Sequence, residues 1–172
     1  MRWVLYGVIV LAGLAALVFV IGMILPATHQ VSRSVVIEKR PDEIWAVITD
    51  FASNPSWRED IQSVSLMSDQ EGRQVWREES KTGDVIPYET VESRPPTRLV
   101  RRIVDPSLPF GGTWTIDLAP EGATTRVTVT ENGTVRNPIF RFVSSVIIGH
   151  TRYIDTYLTA LGRRFGQTVK PA

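Results

Sequence analysis

Only two imidazoles, His29 and His150, occur in the sequence, and there is no cysteine. Acid–base chemistry near neutral pH would run through one of these rings or through carboxylates. Thiolate nucleophiles, disulfides and thiolate zinc sites are excluded. His29 falls in what reads as a linker and is expected to be solvated. His150 follows Gly149 and lies on an apolar helical stripe beside Tyr153. Three roles are open to it: a satisfied half-buried ring, a polar contact to a ligand, or a general base. It is the only catalytic candidate, and with no placed partner it defines no catalytic set. Glu78, Glu79, Glu89 and Glu92 accompany Arg77, Arg94, Arg101 and Arg102 on neighbouring extended stretches. A carboxylate pair poised for proton transfer would use such residues, but cross-strand ion pairs on a solvated face account for the same pattern and are the expectation here. No metal site and no cofactor are expected.

The residues suited to holding an apolar molecule are the aromatics. Trp57, Trp76, Tyr88, Trp114 and Tyr153, with Val146 and His150, are candidate walls of a ligand-binding cavity. Core packing explains each of them equally well taken singly. The stretch Asp105-Pro106-Ser107-Leu108-Pro109-Phe110-Gly111-Gly112 is stiffened by prolines, hinged by glycines and tipped with Leu108 and Phe110. Loops usually run polar over a surface. An apolar one suggests a gate over the cavity or a surface touching a bilayer, unless both side chains fold back onto the domain's own core. Phe140, Phe142 and Ile148 would extend the same apolar surface.

These residues need elements to position them, and the largest is a helix over Asn137 to Gln167. Asn137-Pro138 is a cap followed by a first-turn proline. Residues about 100° apart then place Ile139, Val143, Val146, Ile147, His150, Tyr153, Ile154, Tyr157, Leu161 and Phe165 on one stripe. The half near Val146 and His150 would wall the cavity, and the half from Tyr157 to Phe165 would clamp the fold. Upstream, Gln30–Lys39 reads as a strand, Pro41-Asp42-Glu43 opens a short amphipathic helix, and Asn54-Pro55 opens a second, very short helix at Ser56–Asp60 that carries Trp57. Six further strands are expected at Ile61–Met67, Arg73–Ser80, Ile86–Ser93, Leu99–Val104, Gly112–Leu118 and Thr125–Val135. Turn-rich stretches such as Asp69-Gln70-Glu71-Gly72 separate them. Period-two alternation in Trp114–Leu118 and Arg126–Thr130 indicates a sheet covered on one face, and short connections indicate an antiparallel meander.

Ahead of all this, Trp3 to Leu25 is apolar without a charge. Its roughly 23 residues suffice to cross the ~30 Å hydrocarbon core of a bilayer. A cleaved signal peptide would carry a shorter apolar region with small residues before the cut, so a single-pass anchor is the expectation. Basic residues flank the span on both sides, Arg2 before it and Arg33, Lys39 and Arg40 after it, and assign no orientation. The whole chain has 19 basic and 18 acidic residues, a balance without the basic excess of a nucleic-acid footprint. The expected organisation is an anchor at 1–26, a linker at 27–29, one ligand-binding domain at 30–167 and a tail at 168–172.

The first strand followed by Pro41-Asp42-Glu43-Ile44-Trp45, then Asp50-Phe51, Asn54-Pro55-Ser56-Trp57, Gly112-Thr113-Trp114, Thr124-Thr125-Arg126-Val127 and the final helix resemble the START-like, or SRPBCC, superfamily, and within it proteins of the polyketide cyclase/dehydrase type. The resemblance spans about residues 30 to 167. It implies an α+β helix-grip fold, a seven-stranded antiparallel sheet around a long C-terminal helix, with a cavity for a hydrophobic small molecule or lipid and a lid region at Trp57. Three functions are compatible with it. The first is a membrane-anchored binding module. The second is a cyclase or dehydratase in which His150 acts with a tyrosine or carboxylate. The third is a protein-interaction domain.

Overall fold

The computed structural model describes residues 2–67 and 72–172, so Asp69, Gln70 and Glu71 of the expected turn lie outside the described residues. Helix α1 (Arg2–Ile24) is long and apolar enough to cross a membrane and presents nearly all its side chains outward. Strand β1 (Thr28–Ile37) follows almost at once, so His29 lies within a strand rather than in a solvated linker. In helix α2 (Pro41–Thr49) the Glu43 carboxylate accepts from the backbone N–H of Arg40 at 3.1 Å, and Ile44 and Ile48 are buried one turn apart. A 3-10 helix (Phe51–Ser56) takes the place of the second short helix and ends at Trp57.

Strands β2 (Ile61–Leu66), β3 (Val75–Ser80), β4 (Val85–Arg94), β5 (Arg98–Ile103), β6 (Phe110–Glu121) and β7 (Thr124–Val135) then form an antiparallel meander. With β1 closing onto β7, the seven-stranded sheet has the order β1-β7-β6-β5-β4-β3-β2. The fold is α+β and helix-grip, as the family resemblance implied. Alternate residues line the covered face: Val35 pairs with Val127, Ile116 with Val129 and Leu99 with Ile116. All of these are buried in the core together with Ile44, Ile154, Leu158 and Leu161.

The C-terminal helix is not continuous. Helix α3 (Pro138–Phe142) runs into a π-helical segment (Val143–Ile148), which Gly149 ends. The Gly149 N–H donates to the Ser144 carbonyl at 3.0 Å, and Gly149 then takes φ +80°, which a residue without Cβ adopts without steric cost. Helix α4 (Arg152–Arg164) restarts beyond it. Only α4 grips the sheet, burying Ile154, Tyr157, Leu158 and Leu161 at i, i+3, i+4 and i+7. The expected single stripe therefore holds for its second half alone. Beyond α4, Val169 packs on the core and Ala172 exchanges backbone hydrogen bonds with Ser34 at 2.9 and 3.0 Å, so the last residues are docked on the edge strand.

Asn137 caps α3 by accepting from the Phe140 N–H at 3.0 Å. The segment it starts packs against the end of α1, where Gly22 is buried and a Cβ would overlap the backbone of Pro138. Arg141 donates to the Gly22 and Leu25 carbonyls at 3.1 and 3.2 Å, meeting the acceptors that the last turn of α1 leaves free.

Candidate functional site

The centre of the grip is polar as well as aromatic. Glu78, on the covered face of β3, is buried. Its Oε2 accepts from Arg58 Nη1 at 2.7 Å, and its Oε1 accepts from Asn54 Nδ2 at 2.9 Å and Trp76 Nε1 at 3.2 Å. Arg101 of β5 reaches the same carboxylate at 3.6 Å. Asn54 and Arg58 arrive from the 3-10 helix and the residues after it, a compact segment fixed by the Arg58 N–H on the Asn54 carbonyl at 2.8 Å. Arg58 also pairs with Asp60 at 2.7 Å.

Aromatic faces enclose the guanidinium of Arg101. Its Cζ lies 4.6 Å from the Trp114 ring centroid, 5.2 Å from Tyr88 and 5.4 Å from Tyr157. Tyr157, from α4, also meets Trp57 and Trp114 edge-on at 5.5 and 5.7 Å, and Arg58 at 5.6 Å. Trp76 stacks on Phe51 at 3.7 Å and on Tyr88 at 5.6 Å. Three N–H donors of this cluster, Trp57 Nε1, Arg58 Nε and Arg101 Nε, are buried and have no protein acceptor among the described residues.

Burial and charge act against each other here. Burial would raise the Glu78 carboxyl, but the cations of Arg58 and Arg101 outweigh it and hold the group below the usual carboxylate range. For Arg58, burial opposes the charged form, and Glu78 and Asp60 restore and exceed it, so its affinity for the proton rises. Tyr88 is pushed up to about 12, first by burial and then by the Glu78 charge. Tyr157 also moves upward, mainly through burial. Neither phenol ionises near neutrality.

Trp57, Trp76, Tyr88 and Trp114 thus come together around Tyr157, as candidate walls of one region. Val146, His150 and Tyr153 lie elsewhere, at the junction between the π-helical segment and α4. Val146 and Tyr153 are 59% and 63% exposed. The cause is the break at Gly149, which turns the first half of the expected helix away from the sheet. His150 stacks on His29 with centroids 3.8 Å apart and shares a 3.3 Å bond with Ser145 Oγ. Gly133, opposite His29 on β7, leaves room for that ring. His29 Nε2 meets Glu131 Oε1 at 3.1 Å, and Glu131 Oε2 accepts from Trp114 Nε1 at 2.9 Å. Partial burial, then the neighbouring His29, lower the His150 proton affinity, and Glu131 opposes this.

Phe110 begins β6 and stacks on Phe140 at 5.7 Å. Arg136 ties the loop down by donating to the Leu108 and Phe110 carbonyls at 3.0 and 3.3 Å. Leu108 and Phe110 are half-buried. Two open clefts flank the domain. One of about 390 Å³, away from the aromatic cluster, is lined by Trp45, Thr49, Thr90, Val91 and Leu99 among others, and one of about 370 Å³, which meets the cluster at Trp57, is lined also by Lys81, Arg163 and Arg164 among others.

The charge pattern alone placed Glu78 and Arg101 on a solvated face, and they are in the core. Glu79 and Glu92 do sit in more exposed pairs, with Ser63 and with Arg94 and Arg98, whereas Glu89 is itself buried beneath the more exposed Arg102 and Arg73. Alternation carried the missing signal. Trp76 and Glu78 share one face of β3, and Leu99 and Arg101 share one face of β5. A carboxylate in step with a buried tryptophan points inward.

A search of curated protein sequences finds no match. Among solved structures, the chain is similar to norcoclaurine synthase from Thalictrum flavum at TM-score 0.63 and 12% identity, covering 80% of this chain and 86% of that one. A START superfamily protein from Mycobacterium smegmatis matches at TM-score 0.62 and 18% identity, covering 79% and 96%. The Zhui aromatase/cyclase of a Streptomyces species matches at TM-score 0.61 and 13% identity, covering 78% and 91%. At these identities the likeness is one of fold. A family model described as "Polyketide cyclase / dehydrase and lipid transport" matches residues 28–166, from the first strand to the end of the gripping helix, and the chain belongs to that family.

Proposed function

We propose that this protein is a membrane-anchored binding module for a hydrophobic small molecule or lipid that carries an oxygen acceptor at one end. The observation that carries the reading is the set of three buried N–H donors on Trp57, Arg58 and Arg101, gathered about the Tyr157 ring without protein acceptors. A buried donor left unmade costs about 1–3 kcal/mol, so a carbonyl, carboxylate or phosphate oxygen placed among them would recover energy that the protein alone does not. The faces of Trp57, Trp76, Tyr88 and Trp114 supply the apolar contact for the rest of the molecule. Trp57 also lines the cleft beside Lys81 and Arg163, so the segment carrying it is the natural route inward. Helix α1 keeps the domain at the source of such molecules. A cyclase or dehydratase reading would need His150 to converge with Glu78, Glu89 or Tyr88, and its contacts are instead His29 and Ser145.

Native mass spectrometry of the full chain extracted from membranes in mild detergent tests this. The wild type should carry a small-molecule adduct. Trp57→Phe keeps an aromatic face, though a smaller one, and removes the indole N–H, so occupancy should fall at least about three- to tenfold, the effect of one hydrogen bond. A wild-type chain that is consistently empty would overturn the reading.

A further inference from the structure

The segment Pro138–Ile148 is an apolar helical stretch that the domain itself does not cover. Apolar helices of this length are ordinarily core helices or interfacial ones. A core position is excluded, because no residue of α3 or of the π-helical segment is buried, and Val146 and Ile147 are 59% and 69% exposed.

Position, charge and neighbouring side chains indicate what covers it. The segment sits against the C-terminal end of α1 through the Gly22–Pro138 contact, with Arg141 bound to the Gly22 and Leu25 carbonyls. Between Asn132 and Ile154 the sequence holds Arg136, Arg141 and Arg152 and no acidic residue. The Phe110–Phe140 stack joins the apolar loop to the same patch, and exposed Tyr153 stands at its far end. An apolar face rimmed by arginines and aromatics, at the mouth of a membrane span, has the make-up of an interfacial segment. A symmetric contact with a second copy would instead bring arginines of this stretch against one another without a carboxylate from it.

We infer that Pro138–Ile148 lies in the headgroup–acyl boundary of the same bilayer that α1 spans, with Phe140, Val146 and Ile147 facing lipid and Arg136, Arg141 and Arg152 at phosphate level. The inference rests on the reading of α1 as a membrane span. It gives the binding module a lipid-facing shoulder, which holds the Leu108–Phe110 loop at the membrane surface.

The absence of cysteine makes the test clean. Full-length Phe140→Cys, Val146→Cys and Ile147→Cys variants, with Leu11→Cys inside α1 and Val85→Cys on exposed β4, are spin-labelled and reconstituted into phosphatidylcholine vesicles containing phosphatidylglycerol. Collision with oxygen, which partitions into lipid, is compared with collision with a water-soluble nickel chelate. Labels at 140, 146 and 147 should favour oxygen over nickel at least about tenfold more than the label at 85. If the label at 11 is in lipid and those three behave like 85, the inference is overturned while the anchor stands. Labels shielded from both reagents, with dipolar broadening that grows with protein density, would place a second copy on the face and overturn it too. A label at 11 in water would remove the anchor and the inference together.

Discussion

Replacing Glu78 by Gln keeps the shape of the side chain and removes the one negative charge shared by Arg58 and Arg101. At the observed separations of 2.7 and 3.6 Å, and an effective dielectric of about 20, the two attractions are gross terms of about 6 and about 5 kcal/mol. Much of that offsets the desolvation of the carboxylate, which the substitution gives back. The net loss expected on breaking a buried pair is about 3–5 kcal/mol. The Asn54 and Trp76 donors retain an amide oxygen to meet, but Arg101 is left in the core without its carboxylate, and Arg58 keeps only Asp60. Against a typical total stability of about 5–15 kcal/mol, the variant should be close to marginal. Urea unfolding of the full chain in detergent micelles, followed by the emission of Trp57, Trp76 and Trp114, measures the difference. Glu78→Leu combined with Arg58→Met and Arg101→Met, which removes all three charges, should recover most of the loss. The pH profile adds a second reading. The folded Glu78 carboxyl lies below its ordinary 4.5, so its ionised form stabilises above that value, and the contribution is lost as pH falls from about 4.5 toward the folded value. Glu78→Gln should lack that part of the acid limb. A loss under about 1 kcal/mol would mean that the cluster is screened by water, and the account of a desolvated ionic core would fail.

His150 gives a pH effect of the same sense in a higher window. Its folded value lies below 6.5, so the unfolded chain binds the extra proton first. The contribution is complete above about 6.5 and declines as pH drops toward the folded value, so the wild-type urea midpoint should fall between about pH 7 and pH 5 more than that of His150→Gln. Parallel profiles would discount the His29–His150 stack as its cause. Leu161 and Val146 separate the two parts of the expected helix. Leu161 is fully buried, and Leu161→Asp should unfold the domain as seen by circular dichroism. Val146→Phe, which the sequence alone placed in a cavity wall, should change stability by less than about 0.5 kcal/mol and leave adduct occupancy unaltered. Lost occupancy in that variant would return Val146 to the site.

The sheet was legible because its signal is repeated. Trp114, Ile116 and Leu118 on β6 and Val127 and Val129 on β7 alternate with polar partners over enough residues that no helix could explain them. The ionic core was hidden by a competing inference from charge. Glutamates facing arginines on adjacent strands usually stay in water, and only the register that puts Glu78 in step with Trp76, and Arg101 in step with Leu99, overrides that expectation. His29 was misplaced for a different reason, since nothing in Ala27-Thr28-His29 distinguishes a linker from a strand that starts immediately after Pro26. Its pairing with Gly133 is a contact between the first strand and the last. No local pattern encodes it.

The break at Gly149 is the feature on which the molecule's two surfaces depend. Residues seven apart on a helix differ by only about 20° in direction, so in one continuous helix Ile147, Ile154 and Leu161 would point the same way. Ile154 and Leu161 are fully buried against the sheet while Ile147 is 69% exposed. A glycine inside a helical pattern costs only about 1 kcal/mol and is not by itself a stop signal, which is why periodicity runs through it. Once the chain turns there, the apolar residues before it no longer serve the core. Pro138 is free to meet Gly22, Arg141 to hold the end of α1, and the His29–His150 stack to pin the turn to the first strand. A stripe that reads as one continuous surface thereby becomes two faces, one gripping the sheet and the other beside α1. A helix without the break could present only the first.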